Sequence, residues 1–223
     1  MVTSGLVMET QMDYKAGRTR AYPVLIHSYR NIASSSHTSR NKIALIMVRA
    51  ASTYPSPLSG YENAPPLPEE RAADGKSFVN PPAEKLSDAY EAFIDPLDKG
   101  RQGGFDVHIY YFQSNAEQSK YAHELWQRIR REFPELRIYT FWDRPIGPHP
   151  VAMFEVNLFT PAQFGAFISW LTIWRGPLSV LIHPNVVPKE GEHPHETGKL
   201  DHSDRAIWMG ERLPLDLTLF DRR

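Results

Sequence analysis

The sequence predicts an α+β fold: a four-stranded antiparallel sheet with two helices on one face, preceded by a largely irregular N-terminal extension. Three observations predict it. Residues 105–112, Phe-Asp-Val-His-Ile-Tyr-Tyr-Phe, alternate so that Phe105, Val107, Ile109 and Tyr111 share one face and Asp106, His108 and Tyr110 the other, the period of a strand with one buried face. Two helix-start signals follow, Ser114-Asn115-Ala116-Glu117 and Thr160-Pro161-Ala162-Gln163, each pairing a capping hydroxyl with Glu or Gln three residues on. The elements then run strand, helix, strand, strand, helix, strand, which is the split βαβ order of ferredoxin-like domains.

Taken in order, residues 1–53 are rich in Ser, Arg and Asn with few patterned apolar positions, and a disordered extension is expected. Residues 54–103 form a Pro-rich arm, since Pro55, Pro57, Pro65, Pro66, Pro68, Pro81 and Pro82 remove backbone donors. Within the arm Leu86, Ala89, Tyr90 and Phe93 recur at helical spacing, which predicts a short amphipathic helix. The domain proper is expected over 104–223, opening on the strand at 105–112. Its first helix starts at the Ser114 capping box, carries the stripe Tyr121, Ala122, Leu125, Trp126, Ile129 and Phe133, and ends at Pro134. Arg137–Phe141 and Met153–Leu158 read as the second and third strands. The second helix bears Phe164, Phe167, Ile168, Leu171 and Trp174 and stops at Gly176-Pro177, before a fourth strand at Leu178–Ile182. In the spatial order 4-1-3-2 of this topology, Asp106, His108, Glu155, Asn157 and His183 all point to the face the helices leave uncovered, or to its rim. That face needs a partner, a ligand or an extra element.

The formal charge of −1, from 25 basic and 26 acidic residues, gives no electrostatic footprint for nucleic acid or a membrane surface. The apolar run Ile43–Val48 is far short of the roughly 20 residues a membrane span requires. No cysteine is present, which excludes disulfides, thiolate metal sites and a cysteine nucleophile. A cytoplasmic location is expected. No Gly-rich phosphate loop, serine nucleophile elbow or His-Glu-x-x-His helix occurs, so nucleotide transfer, serine hydrolysis and zincin proteolysis are disfavoured.

Any metal must therefore be held by His, Asp, Glu or backbone oxygen, and nine histidines are available. His108 lies on the polar strand face and His183 at a strand end. The segments Glu192–Glu196 and Asp201-His202 add His193, His195 and His202, a density that suggests a transition-metal site but equally fits an exposed loop. The connection 143–150 holds three prolines and a glycine, which fix the positions of Arg144 and His149 at little further entropic cost. Arg144 has the planar fork that pairs with a carboxylate, or with neighbouring Asp143.

Five motifs resemble a known family: residues 105–112, Arg144–Pro150, Met153–Asn157, Gly176–Asn185, and Asp201-His202 with 208–215. They are similar to the DOPA 4,5-dioxygenase family of fungi and bacteria. The resemblance implies extradiol opening of a catechol ring with O2 at a non-haem metal. In pigment-forming fungi the substrate is L-DOPA, whose opened product leads towards betalamic acid. It also implies Fe(II), or another divalent ion, at His108, His183 and His202. His149 becomes the proton-handling group, able to take and return a proton near neutral pH, and Arg144, Glu155 and Asn157 become substrate contacts. Many bacterial members carry His-x-His on the first strand, where this chain has Asp106 in the first of those places. The expected partners are a small catechol, O2 and a second copy of the chain. A dimeric ferredoxin-like binding protein without ring cleavage, and a cofactor-independent isomerase or monooxygenase of the same topology, are the competing readings.

Overall fold

The computed structural model describes residues 56–221, together with the backbone of two strands nearer the N-terminus. These two, β1 (Val7–Asp13) and β2 (Arg18–Val24), pair antiparallel in the segment expected to lack regular structure; the rest of 1–55 lies outside the described residues. The chain divides into two compact units, residues 1–81 and residues 82–223.

The second unit holds the predicted order and adds to it. β3 (Phe105–Tyr111), α1 (Ala116–Glu132), β4 (Arg137–Ile138), β5 (Ala152–Leu158), α2 (Pro161–Trp174) and β6 (Ser179–Pro184) form the split βαβ core. After them come α3 (Pro194–Asp201) and β7 (Ile207–Met209). The antiparallel sheet runs β4-β5-β3-β6-β7, which is the expected order extended by one edge strand. α+β with an antiparallel ferredoxin-like sheet is thus the fold.

The alternation of β3 determines the two layers. Val107, Ile109 and Tyr111 meet Phe154, Val156, Val180 and Ile182 from the neighbouring strands and Ala122, Leu125, Ile129, Phe167 and Leu171 from the helices. Each large side chain withdrawn from water in this layer contributes roughly 1.5–3 kcal/mol. α2 begins as its sequence requires: Thr160 Oγ1 accepts the Gln163 N–H at 3.1 Å, and Gln163 Oε1 reaches back to the Phe159 N–H at 2.7 Å. α1 starts one residue later than the Ser114 signal, because Asn115 Oδ1 takes the Gln118 N–H at 3.0 Å and occupies the capping position itself.

Two other expectations are corrected. No α-helix forms at 83–98; only Asp88–Tyr90 makes a 3-10 turn. The apolar stripe there has no surface to meet: Leu86 is 79% exposed and Tyr90 71%, and Phe93 alone is buried, its ring lying so close on Gly104 that a Cβ would have no room. The second strand is also shorter than 137–141, pairing at Arg137 and Ile138 only. The backbone meets β5 again at Trp142, through reciprocal bonds with Met153 of 2.9 and 3.2 Å.

The sheet face away from the helices is partly covered by the chain itself. Tyr110, Met153 and Leu181 pack there against Trp142, Ile146 and Val151 of the β4–β5 connection and Ala206, Trp208, Leu213 and Leu215 of the tail. The remainder of that face, towards Asp106 and His183, carries the polar groups. Among the described residues no helix is long and apolar enough to cross a membrane.

Candidate metal centre

Strand register brings the polar residues together. Asp106 pairs with Asn157 on one side and His183 on the other, and His108 pairs with Glu155; side chains at paired positions share a face. Two further histidines arrive from outside the sheet. His149 is set by the turn in which its N–H bonds the Ile146 carbonyl at 3.0 Å. His202 closes α3, and Asp201 beside it ties that helix to the end of β6, accepting the Val186 N–H at 3.1 Å and the Arg205 guanidinium at 2.7 Å. A cavity of about 400 Å³ is lined by all four histidines with Asp106 and Glu155. A second, more apolar one of about 330 Å³, walled by Trp142, Ile146 and Met153, shares His149 and Glu155 with it.

The four rings cluster, with His108 and His202 each near the other three. His108 lies 4.2 Å from His149 and 5.1 Å from His183 between ring centroids, and His183 lies 3.9 Å from His202. His108 Nε2 is 3.0 Å from His183 Nε2. His183 Nδ1 is 2.9 Å from the Pro184 carbonyl, and His202 Nδ1 is 2.9 Å from the Gly198 carbonyl. A carbonyl only accepts, so both Nδ1 atoms carry the proton and both Nε2 atoms present lone pairs. His108 Nδ1 is buried with no hydrogen-bond partner, and Glu155 Oε2 stands 3.8 Å from it.

The carboxylates are braced on one side and open on the other. Asn157 Nδ2 donates to Asp106 Oδ1 at 2.6 Å and to Glu155 Oε1 at 2.8 Å, and Asn185 Nδ2 donates to Asp106 Oδ1 at 2.9 Å. Asp106 Oδ2 is left 4.0 Å from His183 Nε2. Burial, then the nearby Glu155 charge, pushes the Asp106 carboxyl up to about 7, and burial raises Glu155 as well. Burial, with the neighbouring rings, lowers His149 and His183 to about 3 and holds His108 well below the usual imidazole range, and burial alone lowers His202. Neutral imidazoles facing carboxyls that resist ionisation mark a place where positive charge is missing.

This donor set fits a divalent ion. Donor atoms of Asp106, His108 and His183, and likewise those of His108, His149 and His202, all lie within 4.8 Å of one another. Two imidazole nitrogens bound at right angles to one ion at about 2.1 Å stand about 3.0 Å apart, the separation of His108 and His183 Nε2. With an ion bound, the His108 proton belongs on Nδ1, facing Glu155; carboxylate–histidine–metal triads are built this way. Imidazole and carboxylate together suit iron and other first-row ions.

All four histidines predicted at the site, and Glu155, therefore line one cavity. Asn157 sits beneath it, 2% exposed and committed to the two carboxylates. Arg144 is exposed in the 142–151 connection, its guanidinium 5.8 Å from the Trp142 ring centroid, and lines neither cavity. His193 and His195 are exposed at the start of α3, where His193 Nδ1 accepts the His195 N–H at 3.3 Å. Asn185, following the His183-Pro184 pair, and Asp201, preceding His202, are structural supports that the sequence reading left without a role. Tyr110 is a third: its hydroxyl lies 2.7 Å from His149 Nδ1.

Known proteins resemble this chain. An uncharacterized 21.2 kDa protein of Botryotinia fuckeliana is 66% identical over 170 residues, covering 76% of this chain and 92% of that protein. A protein of Amanita muscaria named DOPA 4,5-dioxygenase is 34% identical over 116 residues, 49% of this chain and 46% of that one. A crystal structure of a candidate dioxygenase from Nostoc punctiforme aligns with a TM-score of 0.42 at 30% identity, over 53% of this chain and 91% of that chain. The Dopa 4,5-dioxygenase family matches residues 105–219, from the first residue of the central strand through the tail that delivers His202. By that match, over just more than half its length, the chain belongs to the Dopa 4,5-dioxygenase family.

Proposed function

We propose that this protein is an extradiol dioxygenase that opens a catechol ring with O2 at a ferrous or other divalent ion. The observation that carries the reading is the convergence of His108, His149, His183 and His202 with two buried carboxyls on one cavity, in a chain of this family. His108, His183 and His202 would hold the ion, and Asp106 Oδ2 is the nearest carboxylate oxygen to His183. The bound ion would supply the redox contact between catechol and O2 and the positive charge the cavity otherwise lacks.

The protein's own groups do the rest. Glu155 stands beside His108 and Asp106 beside His183, and Asn157 holds the other oxygen of each carboxyl, leaving these oxygens turned to the imidazoles. His149 would face the substrate oxygens as a hydrogen-bonding group, and Glu155 lines both cavities with it. The buried imidazoles lie in a lower dielectric than water, which strengthens each of these contacts. L-DOPA is the first substrate to test, since a relative is named for it, and betalain-type pigment formation is the pathway role that substrate would entail. We take the enzyme to be a cytoplasmic homodimer on the sequence reading, which light scattering and cell fractionation test. Replacing His108 with Ala should abolish ring opening and lower the iron content of the purified protein; full turnover by an iron-loaded His108→Ala protein would refute the assignment.

A further inference from the structure

Distances alone permit His149 as a metal ligand beside His108 and His202. The hydrogen bonds of the Nδ1 atoms argue otherwise. His183 and His202 each turn Nδ1 to a backbone carbonyl, which forces the proton onto Nδ1 and frees Nε2 as a lone pair. His149 turns Nδ1 to a hydroxyl instead, that of Tyr110, at 2.7 Å.

A hydroxyl can donate or accept, so the Tyr110 proton decides the matter. The side chain is 2% exposed, and among the described residues His149 Nδ1 is the one hydrogen-bond partner of its oxygen. If His149 Nδ1 carried a proton, the phenolic hydrogen would be buried without an acceptor, which is unfavourable. If the phenol donates, both groups are satisfied and the His149 proton lies on Nε2. Tyr110 cannot easily turn away, because its ring stacks on Trp208 at 5.8 Å and packs with Met153 and Leu181.

We propose that Tyr110 is the positioning residue that makes His149 a fixed N–H donor to the oxygens of the bound substrate, leaving metal ligation to the other three histidines. A nitrogen that bears hydrogen has no lone pair for a metal or for an incoming proton. His149 in this state neither ligates through Nε2 nor acts there as a base; it offers one hydrogen bond, suited to an oxygen that becomes more negative during the reaction. The same ring walls the apolar cavity beside Trp142, so the donor stands where a catechol substituent would leave the metal pocket. The inference rests on the dioxygenase reading for its substrate, but the tautomer is a property of the protein alone.

The test is long-range proton–nitrogen NMR of the full chain with 15N-labelled histidine, loaded with zinc as a diamagnetic probe. His149 should show a protonated Nε2 and a hydrogen-bonded, unprotonated Nδ1, while His108, His183 and His202 carry the metal on Nε2. In Tyr110→Phe the His149 signal should move toward the Nδ1–H tautomer with zinc stoichiometry unchanged, and kcat should fall more than KM rises. His149→Leu should bind zinc within about threefold of wild type. A protonated Nδ1 on His149 in the wild-type protein, or a tenfold or greater loss of zinc affinity in His149→Leu, would overturn the proposal. Failure of every catechol to be turned over would remove the dioxygenase reading and leave the tautomer result standing, so the two failures are distinct.

Discussion

Replacing Asn157 with Leu, a side chain of similar volume, removes one group that braces both carboxylates at once. Asn157 Nδ2 gives one hydrogen to Asp106 Oδ1 at 2.6 Å and the other to Glu155 Oε1 at 2.8 Å, inside the sheet at 2% exposure. Hydrogen bonds to charged acceptors contribute about 1.5–3 kcal/mol each, so the doubly ionised, metal-bound state loses about 3–6 kcal/mol of support. In the metal-free protein the loss is smaller, because Asp106 is held up to about 7 and Glu155 is also raised; protonated carboxyls depend less on the amide. Asn185 still donates to Asp106 at 2.9 Å, which keeps the effect below the full sum. Outer partners of metal ligands typically govern 10–100-fold in affinity, and a loss in that range is the expectation. Calorimetric titration with Zn(II) or Mn(II) at pH 6 and pH 8 reads it directly, with the larger defect at pH 6, where protons compete more strongly for the unbraced carboxyls. Affinity unchanged within about twofold at both pH values would refute the reasoning and show that the carboxylates are no part of the centre.

Other outcomes follow from the same geometry. His149 and His183 ionise near 3 in the folded protein against about 6.5 when unfolded, so their contribution to metal-free stability is lost as pH falls from about 6.5 towards 3. Asp106 acts in the opposite sense: near 7 folded against about 3.9 unfolded, it contributes more as pH falls through that window. Thermal melts of metal-free Asp106→Asn should therefore drop more steeply than wild type between pH 6.5 and 4, and parallel curves would show that Asp106 is not held protonated. In the helix-covered layer, Phe167→Ala should destabilise by about 3–5 kcal/mol in denaturant titration, since Phe167 is fully buried. Leu86→Ala, at 79% exposure, should change stability by no more than about 0.5 kcal/mol; a large effect would reinstate a packed helix at 83–98.

What the sequence made legible was what periodicity controls. The alternation of 105–112 specified β3 and both of its faces, and the Thr160-Pro161 signal placed α2 to the residue. Periodicity counts positions and not partners, which is why Leu86 and Tyr90 suggested a helix that finds nothing to pack on. It also could not separate Ser114 from Asn115 as a cap, because either side chain can accept the same amide. For the site, strand order implied that Asp106, His108, Glu155 and His183 would meet. His202 reaches the cluster through α3, a helix the sequence analysis does not identify, whose signal is Pro194 at the first helical position. The rigid connection expected to fix both Arg144 and His149 carries His149 to the cluster, where its Nδ1 meets Tyr110, while Arg144 lies exposed near Trp142.

The four-histidine cavity is proposed to open catechols with O2 at a metal. Metal analysis of the purified protein, combined with an oxygen-electrode trace on adding L-DOPA to the Fe(II)-loaded enzyme, tests it most directly. About one O2 consumed per catechol, a yellow ring-opened product, and loss of both with a chelator are expected. Full metal occupancy with no oxygen uptake on L-DOPA or simpler catechols would contradict it.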